Sequence, residues 1–231
     1  MISYMKARFI LKDQNGVTKT PKFIETERRF LKNTVEKYRD DVYNSFYEYF
    51  RNYTKLQLTP VHQMLIRAAF KFEKIGRRQF LVQEGDMCKY ICFVISGALR
   101  IYSVNERGQE AVVTFAIEQN WISDWESVVA QTPSRYYIDA VEDSEILQIS
   151  PVQLHALETK VPAINEFLRL EQRVVAVATQ KRIHAAISMN AEERYRDLLE
   201  HHPEYFQKFS QNMIASYLGI TAETLSRLRK R

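Results

Sequence analysis

The chain has 231 residues, of which 45% are hydrophobic and 12% aromatic; this is enough apolar material for a packed core and excludes disorder throughout. Only two cysteines occur, Cys88 and Cys92, so a disulfide framework and any site with four cysteine ligands are excluded. The formal net charge of +5 is concentrated at the two ends of the chain. Residues 1–42 contain ten Lys or Arg and six Asp or Glu, and residues 205–231 contain five Lys or Arg and one Glu. Polyanion binding is therefore a hypothesis about the two ends, the alternative being solvated basic tails.

The start of the chain shows neither a membrane-spanning run nor a secretory signal. No stretch approaches about 18 uninterrupted apolar residues, and the first residues lack an apolar segment with a small-residue cleavage site. We therefore expect a cytoplasmic location and no membrane partner. From residue 27 to residue 53 apolar residues recur at spacings of three and four, which predicts a helix. Residues 1–42 are assigned to a partly helical N-terminal extension.

Short alternating apolar runs, divided by turn signals, occupy residues 76–149 and predict strands. In chain order these runs are 80–82, 90–95, 98–102, 111–115, 136–140 and 145–149. Strands at such regular spacing predict an antiparallel β-roll of the double-stranded β-helix or jelly-roll type, assigned to residues 43–160. A roll of this size either encloses one small ligand or is filled by side chains. The fold class is therefore α+β.

Helical spacing returns after the roll. Ser150 before Pro151 predicts a helix start, and a segment from Pro162 to about residue 189 without Gly or Pro predicts a long helix, assigned to residues 161–190. It carries two apolar stripes, one formed by Phe167, Leu170, Val174 and Val177 and the other by Ile164, Leu168, Val175 and Ala178. Two apolar faces need two partners, and the economical pair is the roll of the same chain and the same helix of a second chain, which gives a homodimer. The alternative is a helix buried wholly within one chain.

Residues 191–231 contain the sharpest pattern in the sequence. A helix with inward Ile214 and Leu218 is followed by Gly219, which can adopt the positive φ of a tight turn. A second helix then follows with inward Leu225 and Leu228. This order predicts a helix-turn-helix, whose second helix would lie in the major groove of duplex DNA.

The candidate DNA-binding side chains divide by expected role. Thr221 is placed to cap the second helix, and Glu and Arg on its outer face can pair with cytosine N4 and with guanine O6 and N7. The residues expected to face bases are Ala222, Glu223, Ser226 and Arg227; those expected at phosphates are Arg229 and Lys230; and those expected at the DNA backbone from the preceding helix are Ser210 and Gln211. The sequence therefore predicts double-stranded DNA as a partner.

The order of these motifs resembles the Crp/Fnr family of bacterial transcription regulators. The resemblance covers about residues 42–231 and is carried by stretches 80–86, 94–102 and 108–110, the long helix and the terminal hairpin, whose run 214–227 is similar to the branch common in Bacteroidetes. It implies a cyclic-nucleotide-binding-like sensor, a dimerisation helix and DNA binding, with RNA polymerase as a further partner. Glu223 and Arg227 match base-reading positions of the family. Ala222 stands where its best-known members have Arg, so the operator should differ.

The stretch from Trp121 to Tyr136, called the sensor loop below, departs from the pattern of the family's cyclic-nucleotide binders. The resemblance places Ser123 and Asp124 at their Gly-Glu pair, and Ser134 and Arg135 at their Arg-Ser pair, so these four are the candidate ligand-binding residues. A shift of one residue moves a strand side chain to the opposite face, so we expect Arg135 on the outside of the roll. We therefore expect that cyclic AMP is not a cofactor, and the effector is unidentified.

Other chemistries find no support in the sequence. Cys88 and Cys92, on one predicted strand, are interpreted as core thiols, and no histidine lies in residues 76–149 to form a metal site there. No catalytic residues are nominated, because paired carboxylates, a Gly-x-Ser-x-Gly motif and a phosphate loop are lacking. The preferred hypothesis is a dimeric DNA-binding transcription regulator. The alternative is a module for a small ligand or a protein, in which the terminal hairpin docks a protein partner.

Overall fold

The computed structural model describes residues 40–230, and the chain divides into two compact units, residues 1–44 and 45–231. All but the last three positions of the predicted extension, residues 1–42, lie outside the described residues. The first helix, α1, is described over residues 40–54, which agrees with the end of the helix predicted there. No helix within residues 40–230 is long and apolar enough to cross a bilayer.

Two antiparallel four-stranded sheets form the β-roll that the sequence predicts, so the α+β fold class is confirmed. The strands are β1 (Lys71–Ile75), β2 (Phe80–Val82), β3 (Ile91–Ser96), β4 (Leu99–Val104), β5 (Glu110–Ala116), β6 (Trp121–Ile122), β7 (Tyr137–Ala140) and β8 (Ser144–Ile149). One sheet has the order β1-β8-β3-β6 and the other β2-β7-β4-β5, which leaves β5 at an edge. Six strands coincide with predicted runs, whereas β1 and the two-residue β6 were not predicted.

The helices that follow α1 complete the fold. They are α2 (Pro60–Ala69), α3 (Trp125–Ala130), α4 (Pro151–Lys160), α5 (Pro162–Ser188), α6 (Ala191–His201), α7 (Tyr205–Lys208), α8 (Gln211–Leu218) and α9 (Ala222–Leu228). Ser150 begins α4 as predicted, since its hydroxyl accepts the N–H of Gln153 and Pro151 occupies the first turn. The long helix also begins and ends close to its predicted bounds.

The long helix α5 corrects one prediction about its apolar stripes. Ile164 and Phe167 are buried, whereas Val174, Val175 and Val177 are 50–55% exposed. Each predicted stripe is thus covered at its start, by Ile164 or Phe167, and exposed at its valines, and residues 172–180 are all exposed. The reason is length, because 27 residues extend for about 40 Å and the buried residues lie in its first turns.

Candidate nucleic-acid interface and sensor loop

Local hydrogen bonds build the helix-turn-helix. The hydroxyl of Ser210 accepts the N–H of Met213 and begins α8, and Gly219 ends it with a φ of +66°. The hydroxyl of Thr221 then accepts the N–H of Thr224 and begins α9. Each turn element therefore has the residue type that its backbone requires.

The inward faces of the two helices match the predicted pattern closely. Ile214, Leu218 and Leu225 are buried, and Leu228 is half-buried. Ala215 is also buried, which permits the two helices to approach each other. The apolar residues thus point inward and leave the polar face of α9 on the outside.

The sequence-predicted DNA-binding residues lie at the starts of α8 and α9 and along α9, and most of them are exposed. The exposed members are Ser210, Gln211, Thr221, Glu223, Arg227, Arg229 and Lys230, and the half-buried members are Ala222 and Ser226. The guanidinium of Arg227 donates to the hydroxyl of Thr224 at 3.3 Å. The pKa of the Glu223 carboxyl is lowered by a hydrogen bond from its own amide and by the Thr221 hydroxyl, so Glu223 is an acceptor at neutral pH.

The candidate ligand residues of the sensor loop are engaged within the protein. The Asp124 carboxylate is buried and accepts the N–H groups of Glu126 and Ser127 at the start of α3. The hydroxyl of Ser123 donates to the carbonyl of Tyr90 at 3.1 Å. Both side chains therefore stabilise the loop itself, which is a structural use of the positions that the family resemblance assigns to a ligand.

The second half of this loop behaves in the same way. Ser134 is buried, and its hydroxyl donates to the carbonyl of Tyr136 and accepts the N–H of the same residue. Arg135 is 74% exposed and pairs with Glu126, which raises the pKa of its guanidinium. The structure therefore places Arg135 on the outside as expected, although for another reason than strand alternation, because Arg135 lies in a bend before β7 begins at Tyr137.

A cavity of about 520 Å³ lies beside the sensor loop. It is lined by residues 85–90 together with Leu81, Val82, Cys92, Ile122, Ile138 and Gln148, so none of the four candidate ligand residues lines it. Cys92 is on β3, but Cys88 precedes the strand, because β3 begins at Ile91; the prediction that both share one strand is wrong. Both thiols are buried, and burial raises the pKa of Cys92.

Aromatic side chains fill the space between the roll and α5. The Trp121 ring lies 5.1 Å from Phe93 and 5.9 Å from Phe167, between ring centroids. Phe46 of α1 is completely buried and lies 5.0 Å from Phe93. These rings therefore pack the roll against α1 and α5.

Sequence reasoning missed the residues on which the helix-turn-helix rests. The Phe115 ring of β5 lies 3.8 Å from Phe209 and 4.9 Å from Tyr217, between ring centroids. The hydroxyl of Ser216 on α8 accepts the N–H of Val112 and joins the same contact. The alternation of apolar residues in 111–115 predicts that Phe115 lies in a strand, but nothing in the sequence indicates that it contacts Phe209 and Tyr217.

Two cations near this contact are fully paired. Lys208 was counted in the basic tail, but its ammonium donates to Glu118 at 2.9 Å and to Glu142 at 2.7 Å. Arg100 is buried, and its guanidinium donates to Asp139 at 2.8 Å and pairs also with Glu110. Neither side chain is therefore available to bind a phosphate, and among the described residues 205–230 the exposed cations are Arg227, Arg229 and Lys230.

Residues 72–159 match the family model described as the cyclic nucleotide-binding domain. This part of the chain is similar to such a domain. An anaerobic regulatory protein of Haemophilus influenzae is 28% identical over 166 residues, or 67% of this chain and 63% of that protein. A fumarate and nitrate reduction regulatory protein of Vibrio cholerae is 27% identical over 166 residues, or 67% of this chain and 65% of that protein. The structure of FixK2 from Bradyrhizobium japonicum matches with a TM-score of 0.60 at 17% identity, over 70% of this chain and 83% of that one.

These similarities confirm the resemblance to Crp/Fnr regulators. The named relatives are regulatory proteins rather than enzymes. The match to the FixK2 structure shows a shared fold. The chain spans less than two thirds of the length of both curated relatives. The similarity to a Bacteroidetes branch stays a prediction.

Proposed function

We propose that this chain is a transcription regulator that binds operator DNA as a homodimer and carries a sensor that does not respond to cyclic AMP. The observation that carries the proposal is the exposed polar face of α9, where Glu223 and Arg227 stand outward while Leu225 is buried. A capped helix with a charged outer face on a helix-turn-helix has the geometry that enters a major groove. The regulatory names of the relatives support the same conclusion.

Each exposed side chain has a chemical role in this function. The Arg227 guanidinium can donate two hydrogen bonds to guanine O6 and N7, and the ionised Glu223 can accept from cytosine N4. Arg229 and Lys230 follow at the end of α9 and would neutralise phosphates. Ser210 and Gln211 at the start of α8 would hold the DNA backbone in register.

The dimer in this proposal forms through α5. Its exposed valines, Val174, Val175 and Val177, lie on a helix whose residues 172–180 are not covered by any described part of the chain. A second copy of α5 would bury them and relate two helix-turn-helix units by a two-fold axis. Two reading helices about 34 Å apart would then match successive major grooves. RNA polymerase is proposed as a partner of the DNA-bound dimer on the family resemblance alone.

The alternative function, a hairpin that docks a separate protein, is less well supported. The apolar face of α8 is already covered within the chain, because Tyr217 of α8 and Phe209 just before it stack on Phe115 of β5, and Ala215 belongs to the same buried cluster. The face that remains outside is polar and basic. Such a face suits a polyanion better than an apolar protein groove.

Binding of the full-length protein to random duplex DNA over a series of salt concentrations tests the proposal. Replacement of Arg227, Arg229 and Lys230 by Ala should reduce the affinity and flatten the dependence on salt by about two to three units for each bound protomer. Arg196→Ala is the matched control, because Arg196 is an exposed arginine of α6 that pairs within its own helix. Equal binding by the triple variant and the control would overturn the proposed DNA surface. Substitution is preferable to deletion of residues 211–231, which would expose the core beneath α8.

A further inference from the structure

The helix-turn-helix shares its hydrophobic core with the sensor sheet. The buried residues of this cluster from the sensor are Ala98, Tyr102, Val112 and Phe115, and those from the C-terminal helices are Leu198, Tyr205, Phe209, Ile214, Ala215, Leu218 and Leu225. A segment of about 40 residues is too short to bury a sufficient core alone. The sensor sheet therefore supplies part of the surface that holds the reading helices.

Hydrogen bonds give this contact a fixed register. Val112 on the edge strand β5 donates its N–H to the hydroxyl of Ser216 at 2.9 Å, and the same hydroxyl donates to the carbonyl of Glu110 at 2.8 Å. Glu110 and Val112 are two residues apart, so both point outward from the same edge of the sheet. Ser216 thus satisfies two backbone groups that an edge strand would otherwise leave open.

One arginine connects this contact to the long helix. The guanidinium of Arg182 on α5 donates to the carbonyl of Val112 at 3.2 Å and lies 4.0 Å from the centre of the Tyr217 ring. A cation over an aromatic face is an attractive contact. Arg182 therefore touches the sensor strand and α8 at the same point, and it belongs to the helix that carries the exposed valines.

We propose that Ser216, Phe115 and Arg182 are positioning residues for DNA binding, which lock α8 to the edge of β5 and fix α9 relative to α5. The proposal rests on the proposed function. Glu223 and Arg227 remain exposed in the locked arrangement, so the lock orients the reading helix without covering it. In a dimer through α5, the lock sets the separation of the two reading helices and with it the preferred spacing of the two half-sites.

Measurement of half-site spacing tests the lock. Duplexes selected from a random pool by the full-length protein would be rebuilt with one base pair added to or removed from the centre. The unchanged protein should lose about tenfold or more in affinity for the altered spacings, because a rigid dimer must twist the DNA to bind them. Ser216→Ala and Arg182→Gln should reduce this penalty to about threefold or less while binding to a single half-site stays within about twofold.

Controls and a second readout separate positioning from loss of folding. Ser103→Ala removes a hydroxyl from the neighbouring strand β4, and Arg169→Gln removes a guanidinium that pairs within α5; both should keep the unaltered spacing penalty. Hydrogen exchange at the Val112 amide should be slow in the unchanged protein and at least about tenfold faster in Ser216→Ala.

The outcomes are distinct. An unaltered spacing penalty in both Ser216→Ala and Arg182→Gln would overturn the lock while leaving the proposed function intact. A uniform loss of affinity for every duplex, with the spacing ratio unaltered, would assign these residues a structural role only and would also overturn the proposal. If the unchanged protein binds no duplex, the proposed function itself fails, and slow exchange at Val112 would then show only that the contact exists.

Discussion

Two short helices in this protein begin alike and present opposite surfaces. In the sensor loop α3 is capped by the side chain of Asp124, and in the helix-turn-helix α9 is capped by the side chain of Thr221. The outer face of α3 carries the apolar residues Trp125 and Val129, which are 48% and 77% exposed. The outer face of α9 carries charged side chains instead, among them Arg227.

The difference lies in which polar groups remain free after the local structure is satisfied. In the sensor loop, the hydroxyl of Ser134 and the carboxylate of Asp124 bond to nearby backbone, and Arg135 pairs with Glu126. In the helix-turn-helix, capping uses Ser210 and Thr221, and the charged residues of α9 stay outward. Recognition of a ligand needs polar groups that are not already bonded, and the side chains of Ser134, Asp124 and Arg135 are all bonded within the protein.

The largest expected effect is on stability, and it compares a buried ring that packs against the helix-turn-helix with a half-exposed ring on α3. Phe115→Ala should lower the free energy of unfolding by about 3–5 kcal/mol, because a buried ring packed against Phe209 and Tyr217 is lost. Trp125→Ala on α3 should cost about 1 kcal/mol or less, since the ring is half exposed. Chemical denaturation measures both. Similar losses in the two variants would show that the helix-turn-helix is not specially supported by β5.

The next effect concerns the exposed stripe of α5. Val174→Glu with Val177→Glu should give monomers by light scattering, because four carboxylates would be buried at the two-fold interface. The affinity for a two-half-site duplex should fall by about 100-fold, since each helix-turn-helix then binds alone. Gln172→Glu with Gln180→Glu, at exposed positions of the same helix, serves as the control. If the unchanged protein is already monomeric at micromolar concentration, the interpretation of the exposed valines of α5 as a dimer interface is wrong.

A smaller effect separates base contacts from phosphate contacts on α9. Arg227→Ala should cost about 1–3 kcal/mol on the specific site and relax the preference at one base pair. Lys230→Ala should weaken all duplexes equally and reduce the salt slope by about one unit for each bound protomer. Fluorescence anisotropy with a panel of single-base variants measures the two patterns. Equal and sequence-independent losses from both changes would contradict direct reading by Arg227.

Local patterns made the helix-turn-helix and most strands predictable. Ile214, Gly219 and Thr221 lie within eight residues, so the turn, the cap and the inward face could be recognised together. The two-residue β6 is too short to show a period, and β1 lies before residue 76, where the region of predicted strands begins. The prediction that Cys88 and Cys92 lie on one strand is wrong because β3 begins after Cys88.

The same local patterns do not predict contacts between residues that are far apart in the sequence. Ser216 and Val112 are 104 residues apart, and nothing in either local sequence marks them as partners. Lys208 was counted with the basic tail because its carboxylate partners, Glu118 and Glu142, come from distant turns. The candidate ligand residues illustrate the same limit, since only the folded loop reveals that Asp124 is occupied as a helix cap.

A still smaller effect follows from the ion pairs of Lys208. Burial alone would raise the pKa of Glu118, but hydrogen bonds from Lys208 and from backbone amides lower it; burial would lower the pKa of Lys208, but Glu142 and Glu118 raise it. The pairs therefore stabilise the fold at neutral pH, and the contribution is lost as the pH falls below the ordinary glutamate value of about 4.3. Because the glutamates are more than 40% exposed, Lys208→Met should cost only about 0.2–1 kcal/mol at pH 7. Unfolding curves at pH 7 and pH 3 should show this difference shrinking in acid.

The last prediction is that cyclic AMP has no measurable effect. A buried cyclic phosphate needs a cation beside it, because an unpaired desolvated anion costs several kcal/mol. Ser134 occupies the position where the resemblance expects that cation, and Arg135 points outward to Glu126. Lys89 does line the cavity of about 520 Å³, but it is exposed, so its charge is largely screened by water.

Titration calorimetry with cyclic AMP and with cyclic GMP provides the measurement. We expect no binding tighter than about 100 μM, which corresponds to roughly −5.5 kcal/mol. Low-micromolar binding that disappears in Arg135→Ala would show that the loop can turn this guanidinium inward and that Asp124 can leave its cap. Low-micromolar binding that disappears in Lys89→Ala would instead place the anion at the mouth of the cavity. Either result would remove the contrast between the sensor loop and α9, because polar groups of the loop would then be able to leave their partners within the protein and bind a ligand.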